Sequence, residues 1–253
     1  MSIAIVISSF SENDDAVSLV IGRYQELGRS LGAKLYLISN TNKYFADVTN
    51  IPLKMDNGYI NNFIKGIHAV NENYVIVGFD DILIHKYNEK QIKELINYGA
   101  SNELNYLRLT GRPRATGLRV QTSSNLIIRK IEPNELYQNS LVLSLYERRY
   151  LIKCLTRAKS AWSLDKNIRH DNEAKAFATE SNLFSWSNLL AKGKIDLWEL
   201  TRAELIEGTR LKLNTKRKKV FSITRVIKKL STPIINRVSP RLLHILYRSN
   251  NST

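Results

Sequence analysis

Apolar positions along this chain alternate between two periods. A short β-branched run over residues 3–7, with no helical spacing, predicts a strand, and a polar loop follows from Ser8 to Asp15. Val17, Val20, Ile21, Tyr24 and Leu27 then recur at three- and four-residue intervals, which predicts a helix ended by Gly28 or Gly32. Residues 35–39 read as a second strand that runs into the polar loop 40–43. A turn at 56–58 leads to a predicted helix over 59–70, with Ile60, Phe63, Ile64 and Ile67 facing inward. Residues 74–77 predict a buried strand ending at Gly78 and Phe79. Beyond it the pattern predicts a helix over 90–98, strands over 105–109 and 140–145, a helix over 147–158, and a closing segment over 198–205. Strands alternating with helices predict an α/β domain with right-handed crossovers and a mostly parallel sheet.

The strand at 74–77 drives straight into Asp80 and Asp81. Ligands of open α/β sheets bind at the C-terminal edge of the strands, where two carboxylates can hold a hard divalent cation against a diphosphate. An Asx turn leaving the strand is the plainer reading of the same pair. The loops after the first two strands contain neither a G-x-G-x-x-G fingerprint nor a Walker A sequence, so neither a dinucleotide fold nor a P-loop enzyme is supported. Arg108, Arg112 and Arg114 cluster at the end of the 105–109 strand. They can clamp phosphate or form a solvated basic loop. Asp165, three residues after Trp162, reads in isolation as a helix cap.

Charge changes the picture only at one end. The chain has 253 residues and a net charge of +15. No acidic residue follows Glu207, whereas twelve basic ones do, so most of the excess sits in a tail and the rest is nearly balanced. This predicts a division into a domain over 1–207 and a basic extension over 208–253, and argues against a nucleic-acid partner. In the extension Val220, Ile223, Ile227 and Leu230 share one helical face with Phe221 beside it, flanked by Lys216, Arg217, Lys218, Lys219, Lys228 and Lys229. Such a basic amphipathic pattern predicts peripheral attachment to an anionic membrane surface. One cysteine, Cys154, rules out an intramolecular disulfide and a multi-thiolate zinc site. The start lacks a signal-peptide pattern and no run approaches the ~20 apolar residues of a spanning helix, so the expected place is the cytoplasm, at the inner face of the membrane.

Taken together, N57-G-Y-I-N-N-F-I-K-G-I-H-A-V, Y74-V-I-V-G-F-D-D-I-L-I, Y106-L-R-L-T-G-R-P-R, L141-V-L-S-L-Y-E-R-R-Y-L and A161-W-S-L-D resemble motifs of small bacterial glycosyltransferases of surface-polysaccharide assembly (O-antigen or capsule type), over roughly residues 3 to 200. The resemblance implies a GT-A-like, Rossmann-type, mostly parallel sheet flanked by helices, followed by the basic amphipathic extension. It implies a nucleotide-diphospho-sugar donor, a UDP-sugar foremost, and a glycan or lipid-linked oligosaccharide acceptor. Asp81 would hold Mn²⁺ or Mg²⁺, with Asp80 turned toward the ribose, the ring or the metal shell. Ser8, Ser9, Phe10 and Asn40 would line the nucleotide pocket, and Arg108, Arg112 or Arg114 would meet diphosphate or acceptor. His170 would add a metal or phosphate contact. Asp165 would take the acceptor proton if the reaction inverts configuration. In the family the last motif commonly reads P-W-E-x-E, whereas here Ala161 replaces the proline and Asp165 the final glutamate. Oligomeric state is left open, a homo-oligomer included.

Two other function classes share these features. A metal-dependent phosphohydrolase or nuclease would use the same carboxylates, but no further cluster with ligand spacing accompanies them. A non-catalytic membrane-surface adaptor would treat the Asp80–Asp81 pair as a turn.

Overall fold

The computed structural model describes residues 2–40, 44–53, 57–133, 135, 137–160, 163–164, 168, 170–171, 173–214 and 216–221. The first half alternates as the apolar periods predict: β1 (Ile3–Ser9), α1 (Asp14–Leu31), β2 (Lys34–Ser39), β3 (Thr49–Pro52), α2 (Tyr59–His68) and β4 (Tyr74–Phe79). Next come β5 (Ile82–Tyr87), α3 (Glu89–Ser101), β6 (Tyr106–Arg108), β7 (Arg119–Gln121), β8 (Ile127–Lys130), β9 (Ser144–Glu147) and α4 (Arg148–Thr156). The chain closes through β10 (Ala176–Thr179), β11 (Phe184–Asn188), β12 (Leu190–Ala191), β13 (Lys194–Asp196), α5 (Leu197–Glu207) and β14 (Lys219–Val220).

Nine strands form one sheet in the order β3-β2-β1-β4-β9-β6-β10-β8-β7. Strands β3, β2, β1 and β4 are mutually parallel, and only β9 and β8 run against the rest. The fold is therefore α/β with a mostly parallel sheet flanked by helices, as expected. Both faces are covered, which explains why β1 and β4 read as unbroken apolar runs. Ile3, Ile5 and Ile7 of β1 and Ile76 of β4 pack in the layer that includes Val20, Tyr24, Ile92 and Leu95 of α1 and α3. Ala4, Val6, Val75 and Val77 enter the opposite layer with Phe63, Ile67, Leu151 and Leu155 of α2 and α4.

Helix α1 ends at Gly32, whose φ of 65° is the left-handed conformation that closes helices. Glu147 begins α4 by accepting from the N–H groups of Arg149 and Tyr150. The strand expected over 140–145 lies instead at 144–147. Leu141 and Leu143 are still buried, but Leu143 has a φ of 47°, and the Ser140 carbonyl accepts from the Tyr106 and Tyr146 hydroxyls. Tertiary contacts thus take the front of that apolar run out of the ladder.

The chain after Glu207 does not leave the domain at once. Strand β14 pairs in parallel with β13, and Arg217 donates to Glu12 and Asn13 in the loop after β1 and to Asp15 in the first turn of α1. Val220, expected to open the amphipathic helical face, lies instead in β14, because its backbone pairs with Asp196, and residues 222–253, which hold the rest of that expected helix, lie outside the described residues.

Candidate functional site

Strand order 3-2-1-4 places a topological switch point between β1 and β4, where the crossovers depart to opposite sides and open a crevice at the strands' C-terminal ends. Register brings both strands to that edge together, with Ile7 opposite Gly78 and Ser8 opposite Phe79. Asp80 and Asp81 are the two-residue turn that carries the chain from β4 into β5. The turn is held from behind. The Leu189 N–H donates to the Asp81 carbonyl at 2.8 Å, and the Phe79 N–H donates to the Tyr24 hydroxyl at 3.3 Å. Tyr24 is fully buried beneath Gly78, where an added Cβ would lie only 2.6 Å from the ring.

Asp80 is 5% exposed. Burial drives its pKa above the ordinary carboxylate range, against the opposing pull of the Ser9 hydroxyl, the Asn13 side chain and the Phe10 N–H. Its Oδ2 is buried and has no hydrogen-bond partner among the described residues. Asp81 is raised as well, first by burial and then by the charge of Asp80. Two adjacent carboxylates, one with a bare buried oxygen, fit a hard cation that neutralises both. Among the described residues no group of three or more His, Cys, Asp or Glu side chains surrounds a common point. A cation held by the pair would take its remaining ligands from elsewhere than such a group.

Of the residues expected to line the pocket, Ser8 and Ser9 are the buried last residues of β1, Phe10 follows them half-buried, and all three sit beside the carboxylate turn. Asn40 directly follows β2, whose Ser39 is opposite Ser9, and is exposed at the same edge. The three arginines separate. Arg108 is completely buried and donates to the carbonyls of Tyr137 (2.9 Å) and Pro113, so the expectation that it meets diphosphate or acceptor gives way to a structural role. Arg114 pairs with Glu180 at 2.7 Å. Arg112 is exposed and faces a cavity. His170 is a core residue: its Nδ1 is 2.7 Å from the Tyr150 hydroxyl, and burial presses its pKa down to about 4. Asp165 and Trp162 lie outside the described residues.

Three contributors escape a reading of the sequence alone. Asn13 supports Asp80, Tyr24 props the strand end, and Arg217 reaches the same loop from the far end of the domain. Asn13 was visible as part of the polar loop after the first strand, but nothing local marks Tyr24 or Arg217.

No family model matches the chain, and no curated protein matches it in sequence. Among solved structures it is similar to S. aureus TarS 1-349 in complex with UDP-GlcNAc, at 8% identity and a TM-score of 0.44, over 70% of this chain and 58% of that one. A second S. aureus TarS structure aligns at 7% identity and a TM-score of 0.42, over 72% of this chain and 37% of that one. The 4-diphosphocytidyl-2C-methyl-D-erythritol synthase of Anaerococcus prevotii aligns at 9% identity and a TM-score of 0.38, over 66% of this chain and 86% of that one. The chain thus spans less than two thirds of the length of the TarS structures.

Proposed function

We propose that this protein transfers a glycosyl unit from a nucleoside-diphosphate sugar to a glycan acceptor. The observation that carries the reading is the placement of the Asp80–Asp81 turn, with Asp80 buried, at the switch point between β1 and β4. A crevice there takes a nucleotide, and a carboxylate pair there suits a metal-neutralised diphosphate. Ser8, Ser9, Phe10 and Asn40 supply the nucleotide side of the crevice. Asp81 and the bare oxygen of Asp80 would hold Mg²⁺ or Mn²⁺, which would offset the charge on the departing diphosphate.

In the reaction the acceptor hydroxyl oxygen bonds to the sugar's anomeric carbon as that carbon's bond to the diphosphate oxygen breaks. The bonding pair leaves with the nucleoside diphosphate, and the acceptor proton passes to a carboxylate, for which Asp165 remains our assignment under inversion. The basic residues of the C-terminal extension, apart from Arg217, which Asp15 engages, would hold the enzyme against an anionic membrane surface that presents a lipid-linked acceptor. Among the described residues no helix is long and apolar enough to cross a membrane.

Calorimetric titration with UDP, GDP and CMP, each with Mn²⁺ and again with chelator, tests the donor site. UDP or GDP should bind and CMP should not, binding should need the metal, and Asp81→Asn should abolish it without lowering the melting midpoint. Metal-independent binding, or full binding by the variant, would refute the assignment.

A further inference from the structure

A cavity of about 960 Å³ opens beside the β5–β11 ribbon and the loop after β6. Its place relative to the carboxylate turn follows from register. Trp186 pairs with Ile84, three residues beyond Asp81, and Lys86 stands two further on. At roughly 3.3 Å per residue the cavity runs from about 10 Å, level with Trp186, to about 20 Å, at Tyr87, along the strand from Asp81. That is beyond a sugar seated at the turn, and within reach of the next units of a chain. The floor is closely built: a Cβ on Gly111 would lie 2.9 Å from the Ser181 carbonyl and 3.0 Å from that of Glu180.

The lining combines two chemistries. Tyr87, Trp186 and Trp198 provide flat apolar surface, of the sort on which sugar rings stack. The charges do not cancel. Glu89 pairs with Lys93 and Glu199 with Arg202, whereas the exposed side chains of Lys86 and Arg112 have no partner among the described residues. An aromatic cavity with two uncompensated cations selects a sugar that carries an oxyanion.

We propose that this cavity seats the acceptor, and that the acceptor is a glycan bearing carboxylate or phosphate groups; this rests on the transferase reading above. Lys86 and Arg112 recognise the charge, and Trp186 and Trp198 recognise the rings.

Calorimetry on the full chain with matched probes tests it: hyaluronan tetrasaccharide against chitotetraose for carboxylate, and singly phosphorylated maltotetraose against maltotetraose for phosphate. One charged probe should bind at least about tenfold tighter than its neutral counterpart, and the arm that responds names the anion. The double substitution Lys86→Gln with Arg112→Gln should reduce that preference to below about twofold, with the melting midpoint and UDP–Mn²⁺ binding unchanged. Trp186→Ala should weaken both members of the pair alike and keep the preference. Equal binding of charged and neutral probes, binding of none, or a preference that survives the double substitution would overturn the proposal. Loss of these effects with metal-dependent UDP binding intact would leave the transferase reading standing. Charge preference in a protein that binds no nucleotide would instead remove the transferase reading.

Discussion

Arg217 closes onto Asp15 across 202 residues of sequence, with Nη2 2.6 Å from Oδ1 and Nε donating to Oδ2 at 3.0 Å. The same guanidinium donates to the Gly193 carbonyl at 3.0 Å, to Asn13 Oδ1 at 3.1 Å and to the Glu12 carbonyl. It therefore clamps the short turn Ser11–Asn13, whose Asn13 supports Asp80. Sequence composition divides the chain after residue 207, but mechanically residues 208–221 belong with the site.

Removing this clamp should act on stability and on the site together. Arg217→Ala should cost about 2–3 kcal/mol in urea denaturation, because it strands a half-buried carboxylate. It should also weaken UDP–Mn²⁺ binding. Truncation after residue 207, which removes Arg217, should do the same. The clamp also sets an acid limit. Burial opposes the Asp15 charge, but Arg217 and the Asn214 N–H outweigh it and lower its pKa. The stabilisation is then present above the unfolded-state value near 4 and is lost as pH falls through the lower folded value. Below that region wild type and Arg217→Ala should converge.

Gly78 and Tyr24 set the height of the carboxylate turn. A Cβ at 78 would lie 2.6 and 2.8 Å from two ring carbons of Tyr24 and 2.9 Å from its hydroxyl oxygen, and the fully buried side chain has no room to withdraw. Gly78→Ala should cost about 1–3 kcal/mol through overpacking. Tyr24→Phe removes only the acceptor for the Phe79 N–H and should cost about 1 kcal/mol. Thermal melts of the two variants check the order.

Arg108 should prove a folding residue. Its buried guanidinium ties the carbonyls of Tyr137 and Pro113 to the end of β6. Arg108→Met should destabilise by about 2–4 kcal/mol while leaving the affinity for UDP–Mn²⁺ unchanged in the folded fraction. A selective loss of nucleotide affinity at full stability would contradict this.

His170 makes folding sensitive to mild acid. It stacks on Tyr150 at 5.8 Å and packs against Tyr106 at 5.2 Å, and burial, with help from the nearby Arg108 charge, depresses its pKa to about 4. The unfolded chain binds a proton near pH 6.5 and the folded one only near 4. Stability from this site is complete above 6.5 and falls as pH drops toward 4, by on the order of 3 kcal/mol in all. Urea midpoints at pH 7, 5.5 and 4.5 should fall more steeply for wild type than for His170→Asn.

The sequence exposes what is buried on both faces and hides what is held by distant partners. The apolar runs of β1 and β4 and the spacing of α1 lie in continuous stretches, so their places and the edge carrying Asp80 and Asp81 could be read directly. Residues 82–87 form a strand only with residues 184–188, about a hundred positions on, so neither the ribbon nor the cavity beside it shows a local signal. The three arginines after Leu107 look equivalent in sequence. Burial of Arg108, the Glu180 partner of Arg114 and the exposure of Arg112 separate them only in three dimensions.

Nucleotide release from a panel of UDP-, GDP- and CMP-sugars, with Mn²⁺ or Mg²⁺ and then with excess chelator, tests the central claim most directly. The prediction is slow hydrolysis of a UDP- or GDP-sugar and not of the CMP-sugars, abolished by chelation and reduced at least about a hundredfold in Asp81→Asn while the fold is retained. Release that persists under chelation or in Asp81→Asn, or absence of both release and metal-dependent donor binding across the panel, would contradict it.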